Sequence, residues 1–135
     1  MKGVMKKKDK DALGNLGVAV VYLFGSRALG VDSPLSDVDI GVVFEFEPPG
    51  DNRLLYQETY DILSGIYPRR RLDVVFLQKA PIALQFSAID TGKVLFEVDP
   101  KLTADYENRV VNEYLDFRPV LAIFDEAMGD RYAPA

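Results

Sequence analysis

The chain has 135 residues, 48% apolar and 27% charged, with a formal net charge of -5 and a pI near 4.7. That length suits a single domain spanning residues 1–135 around one core, and the acidic balance is the opposite of what a protein that wraps nucleic acid needs. Cys and His are both absent. Their absence excludes thiol nucleophiles, disulfides, thiolate metal sites and imidazole bases, and leaves carboxylates, hydroxyls, Lys, Arg, Tyr and hard cations held by oxygen. A cysteine-free chain also suits the reducing cytoplasm.

The opening Met1–Lys8 is basic but has no apolar stretch, so it is expected to be a solvated lead into the first helix and not a secretory signal. Lys6 to Leu16 reads as a short helix closed at Gly17. Val18 to Phe24 is the longest apolar run, far below the roughly 20 residues that cross a bilayer, and it reads as a strand covered on both faces. No membrane association is expected.

After Gly25, Ser26 to Leu29 is read as one helical turn and Gly30 to Ser36 as a loop. Asp37 to Phe46 reads as a second strand, and the Pro-Pro-Gly stretch after it breaks the pattern. Arg53 to Ile66 reads as a crossover helix with Leu54, Leu55, Ile62, Leu63 and Ile66 on one face. Leu72 to Leu77 is a third strand, and Ile82 to Ile89 a helix begun at Pro81 and closed by Thr91-Gly92. Lys93 to Val98 is a last, edge strand. Lys101 to about Met128 is helical, split or kinked at Pro119, and a loose tail follows Gly129. The fold class is therefore α/β (α+β), a small mixed β-sheet with flanking helices.

Three features carry chemistry. Gly25-Ser26 follows a strand and opens a helical turn, where free backbone N–H groups meet an anion, although a glycine turn with a serine N-cap looks the same. In Ser36-Asp37-Val38-Asp39-Ile40 the period of two sends Asp37 and Asp39 to one face and Val38 and Ile40 to the other. Two like charges side by side favour a cation between them, while an acidic strand entrance beside a solvated loop is the plainer alternative. Asp73 stands alone among Leu72, Val74, Val75 and Phe76, and is either a rim residue or, if its strand neighbours the second, a third acid with Asp37 and Asp39. Arg69, Arg70 and Arg71 read as a solvated run; Tyr106, Tyr114 and Phe117 read as core or partner surface.

The succession Gly25-Ser26-Arg27-Ala28-Leu29-Gly30, Ser36-Asp37-Val38-Asp39-Ile40, Asp73 and the closing Tyr114-Leu115-Asp116-Phe117 resembles the polymerase-β-type nucleotidyltransferases, in their small stand-alone minimal (MNT) branch. The resemblance spans nearly the whole chain. It implies a polymerase-β-like core in which Gly25, Ser26, Arg27 and Ser36 bind the nucleotide, while Asp37, Asp39 and Asp73 are the catalytic and metal-binding acids. It further implies one or two Mg²⁺ ions and a nucleoside triphosphate, ATP by expectation. Asp73 would activate the attacking hydroxyl. Leu29 departs from the pattern, standing where many relatives carry a basic residue.

MNT proteins resemble antitoxins paired with helical HEPN-domain ribonucleases, so the implied activity is transfer of AMP to a hydroxyl, a tyrosine of the partner protein. The alternative is a binding module that masks its partner without catalysis. The apolar residues of the C-terminal helical region are expected to meet another chain, a partner or a second copy.

Overall fold

A computed structural model describes residues 5–25 and 38–128, with side chains through Phe117. Its elements are α1 (Lys7–Asn15), β1 (Val18–Phe24), β2 (Val38–Phe44), α2 (Arg53–Ile66), β3 (Leu72–Phe76), α3 (Ile82–Thr91), β4 (Lys93–Glu97) and α4 (Pro100–Met128), with a 3-10 turn at Leu77–Lys79. The strands form one sheet in the order β3-β2-β1-β4. β1 pairs antiparallel with β2 and with β4, whereas β2 and β3 run parallel. A parallel pair needs a crossover, and α2 supplies it.

Alternation along the strands divides the core in two. On one face Val38, Ile40, Val42 and Phe44 of β2 pack with Val18 and Val21 of β1, Leu13 of α1, and Leu63 and Ile66 of α2. On the other, Val20, Tyr22 and Phe24 of β1 pack with Val43, Leu77, Ala88 of α3, and Tyr106 and Val110 of α4. β1 is thus covered on both sides, which is why its sequence shows no polar alternation. The C-terminal helix is fastened through two phenols. Tyr22 donates a hydrogen bond to Glu107 Oε2 (2.6 Å) and Tyr106 donates one to Gln85 Oε1 (2.9 Å).

β1 and α2 have the bounds read from the sequence, and β4 is an edge strand as expected. Several expectations are corrected. Leu54 is 73% exposed and does not share the buried face of α2, because it lies about two and a half turns from Leu63, on the opposite side of the helix. The buried stripe is Thr59, Leu63 and Ile66. β2 stops at Phe44, short of Phe46, because the Gln78 side chain takes over its hydrogen bonding: the amide oxygen accepts from Phe44 N–H (2.8 Å), and the amide nitrogen donates to the carbonyls of Phe44 and Phe46 (both 3.0 Å). β3 ends one residue early as Leu77 enters the 3-10 turn. α3 runs on to Thr91. α4 continues through Pro119 as one helix and is not split there, since a proline can forfeit its own ladder bond without ending the helix. The helical turn expected at Ser26 to Leu29, the loop to Ser36 and the tail after Gly129 lie outside the described residues.

Candidate active site

The register of the central strands brings the acids together. Asp39 of β2 stands directly opposite Asp73 of the parallel β3, flanked by the pairs Val38 with Leu72 and Ile40 with Val74. Neighbouring strands lie about 4.8 Å apart, so two carboxylates on one face at the same level are adjacent. They do share a face. Asp39 alternates with Gly41 and Val43, and Asp73 with Val75, all on the side covered by α3 and α4. Val38 and Ile40, fully buried on the other face, confirm the expected division of this strand.

Two glycines shape the surroundings of Asp39. Gly41, the next residue on that face, leaves the space that Leu77 fills: a β-carbon there would stand 2.7 Å from a Leu77 methyl. An apolar wall thus rises immediately beside the acid. Gly25, just past the end of β1, has φ +78, a backbone state that favours glycine, and a β-carbon on it would run into the Asp39 carboxylate. Asp39 is itself paired across the sheet with Phe24. The strand-end glycine and the first acid are therefore in direct apposition, while Asp73 is exposed at the rim. The remaining expected site residues, Ser26, Arg27, Ser36 and Asp37, lie outside the described residues.

This arrangement offers hard anionic oxygens on two strands, the donor type that suits a divalent cation such as Mg²⁺. No cluster of three potential metal-ligating side chains occurs among the described residues.

One residue near the acids carried no signal in the sequence. Tyr56 of α2 reaches over the outer edge of β3 and donates a hydrogen bond to the Val74 carbonyl (3.2 Å). Burial first, and then the negative charge of Asp73, raise its phenol above the ordinary value of 10.0. Beside it a groove of about 310 Å³ opens along β3, lined by Asn52, Tyr56, Val74, Phe76 and Lys79 among others. A tyrosine on an exposed helix face is unremarkable in sequence; only the crossover shows that it stands at the edge of β3 beside Val74 and Phe76.

The family model for polymerase beta nucleotidyltransferases matches residues 7–101, which include both acids and Gly25. The chain belongs to this family. No curated protein matches it. Among solved structures, a chain of a toxin–antitoxin complex with AMP-PNP superposes on this nucleotidyltransferase with a TM-score of 0.69 at 23% identity, covering 91% of this chain and 99% of that one. A chain of the toxin–antitoxin MntA-HepT gives 0.61 at 20% identity, covering 91% and 99%. A chain from tri-AMPylated Shewanella oneidensis HEPN toxin in complex with MNT antitoxin gives 0.61 at 20%, covering 90% and 98%. At these identities the likeness is one of fold. No described helix is long and apolar enough to cross a membrane.

Proposed function

We propose that this nucleotidyltransferase moves AMP from ATP to a hydroxyl of a partner protein in the cytoplasm, as the antitoxin of a HEPN/MNT pair. The observation that carries the reading is the pairing of Asp39 with Asp73 on one face at an open end of the sheet, with Gly25 against Asp39. The similarity to chains from complexes with AMP-PNP and with an AMPylated HEPN toxin supports the choice of nucleotide and partner.

In this reading Gly25, Ser26, Arg27 and Ser36 hold the triphosphate, and Asp37 and Asp39 with Asp73 hold one or two Mg²⁺ ions. The metal, when bound, neutralises phosphate charge and makes the attacking hydroxyl more acidic. Asp73, the exposed acid, receives the proton of that hydroxyl, while Asp39, backed by Gly25 and by the Leu77 wall, stays fixed. In-line attack then depends on positioning and charge and needs no covalent intermediate, so a chain without His or Cys suffices.

Asp73→Asn tests it. The swap keeps shape and removes the proton acceptor, so Mg²⁺-ATP should still raise the melting temperature while transfer of labelled AMP to a co-expressed HEPN partner falls by about 10²–10⁴-fold. Undiminished transfer would refute the assignment. Exposed Leu115 (44%) and Phe117 (39%) on α4 favour, in addition, a masking role through partner contact. Neutralisation of the partner by Asp73→Asn without any transfer would make masking the main activity.

A further inference from the structure

The arginine run stands at the same end of the sheet as the acids. The chain leaves α2 by a turn that delivers residues 69–71 to the entrance of β3, directly before Asp73. The Arg71 carbonyl accepts the Val38 N–H (2.8 Å), so the ladder between β2 and β3 already includes Arg71. Strand alternation then sets Arg71 on the face of Asp73, two residues and about 7 Å further out. Arg69 and Arg71 are both exposed.

The turn itself carries a second observation. The Arg70 N–H donates to the Tyr67 carbonyl (3.3 Å), which leaves Pro68 and Arg69 at the two central positions. Arg69 has φ +65, the only positive φ among the described residues other than glycine. Glycine or asparagine ordinarily meets that demand in a turn. A guanidinium is therefore kept where glycine would close the same turn freely, and backbone strain of this kind gathers at binding sites. No ion pair among the described residues uses Arg69.

Strand order decides what these arginines face. β1, which leads into Gly25, and β3, entered at Arg71, flank β2 on opposite sides, so the glycine and Arg71 stand two strand spacings apart, roughly 10 Å. Asp39 and Asp73 lie between them. In the proposed reaction the triphosphate occupies the Gly25 flank and Asp73 takes the proton of the attacking hydroxyl, so the ground beyond Asp73 belongs to the acceptor. Arginines spread over an exposed turn and a strand entrance suit several carboxylates better than one phosphate. The chain as a whole carries a net charge of -5, so an acidic surface is attracted only at such a local reversal of sign.

Resting on the nucleotidyltransferase reading, we propose that Arg69 and Arg71 form an anion-recognition rim on the acceptor side of the site, which selects a hydroxyl set among carboxylates on the surface of a partner protein.

The probes are a dye-labelled peptide with a tyrosine among glutamates and its counterpart with glutamines, titrated against the full chain by fluorescence anisotropy at low and high salt. Melting temperature is followed with and without Mg²⁺-ATP. The glutamate peptide should bind the wild type more tightly than the glutamine peptide, and salt should weaken it. Arg69→Gly with Arg71→Gln should weaken it about tenfold, and Lys7→Gln with Lys10→Gln should not. The arginine variant should melt no lower than wild type, since glycine relieves the turn, and should keep its shift with Mg²⁺-ATP. Equal binding of the two peptides, or undiminished binding by the arginine variant, overturns the proposal. So does an arginine variant that melts well below wild type, which would make these residues supports of the fold. Loss of the Mg²⁺-ATP shift in that variant alone would reassign them to the nucleotide, and tighter binding of a single-stranded oligonucleotide than of the glutamate peptide would reassign them to nucleic acid; either result ends the proposal. A wild type that shifts with Mg²⁺-ATP yet does not distinguish the peptides sinks this inference alone, whereas a wild type without any shift sinks the nucleotidyltransferase reading.

Discussion

On the face covered by α1 and α2, β2 contributes Val38, Ile40, Val42 and Phe44, none more than 3% exposed. On the face covered by α3 and α4 the same strand contributes Asp39, Gly41 and Val43, grading from an acid at its open end to a buried valine. β3 repeats the division, with Val74 and Phe76 on the first face and Asp73 and Val75 on the second. One face is committed to cohesion along its whole length. The other is cohesive only where α3 and α4 cover it, and beyond them it presents carboxylates. Alternation lets a strand serve both ends at once, so a substitution's consequence should follow from its parity.

The largest expected loss of stability comes from the cohesive face. Ile40→Ala removes a fully buried side chain beside Asp39 in sequence but on the opposite side of the sheet, and should cost about 2–5 kcal/mol in a denaturant titration. Molecules that remain folded should bind Mg²⁺-ATP as wild type does. A specific loss of nucleotide affinity in Ile40→Ala would break the division of labour between the faces. Gly25→Ala comes next. Forcing a β-carbon into the left-handed region costs about 1–2 kcal/mol, and here the new methyl also displaces the Asp39 carboxylate. Nucleotidyl transfer should therefore fall much further than the modest drop in melting temperature suggests.

The smallest effect sharpens the comparison within the second face. Tyr22→Phe deletes the hydrogen bond to Glu107 under α4 and should cost about 1–2 kcal/mol near neutral pH, without touching transfer. Burial, reinforced by Glu107, holds the Tyr22 phenol well above its ordinary value of 10.0. As pH rises through that ordinary value the unfolded chain sheds the proton while the native one keeps it, so unfolding becomes easier. The stabilisation is complete below pH 10 and declines above it. Melting curves collected across that range should fall less steeply for Tyr22→Phe, with part of the residual slope coming from Tyr106, which burial also raises.

Much of this was legible in the sequence because apolar runs and their interruptions have local causes. Val18–Phe24 is uniformly apolar since both its faces are covered, and Arg53–Ile66 is bounded by turn residues on either side. What escaped depends on distant partners. The end of β2 is set by the amide of Gln78, and the exposure of Leu54 by which side of α2 meets the sheet. At the site, the apposition of Asp39 with Asp73 was legible as two acids in strands that would have to be neighbours. Tyr56 was not, because its proximity to Asp73 arises from the path of the crossover and leaves no trace in local pattern.

The parallel pairing of β2 with β3 also sets when the site can exist. β1 and β2 are antiparallel neighbours in sequence order, and Gly25 can meet Asp39 as soon as that pair closes. Asp73 cannot join them until the intervening chain has coiled into α2 and folded back, a closure whose entropic cost grows with loop length and slows the step. A polypeptide emerging from the ribosome N-terminus first therefore carries Asp39 without Asp73 beside it for the whole of that interval. The acid pair is complete only when β3 docks, so under the proposed function the appearance of transfer would time the closing of β3 onto β2.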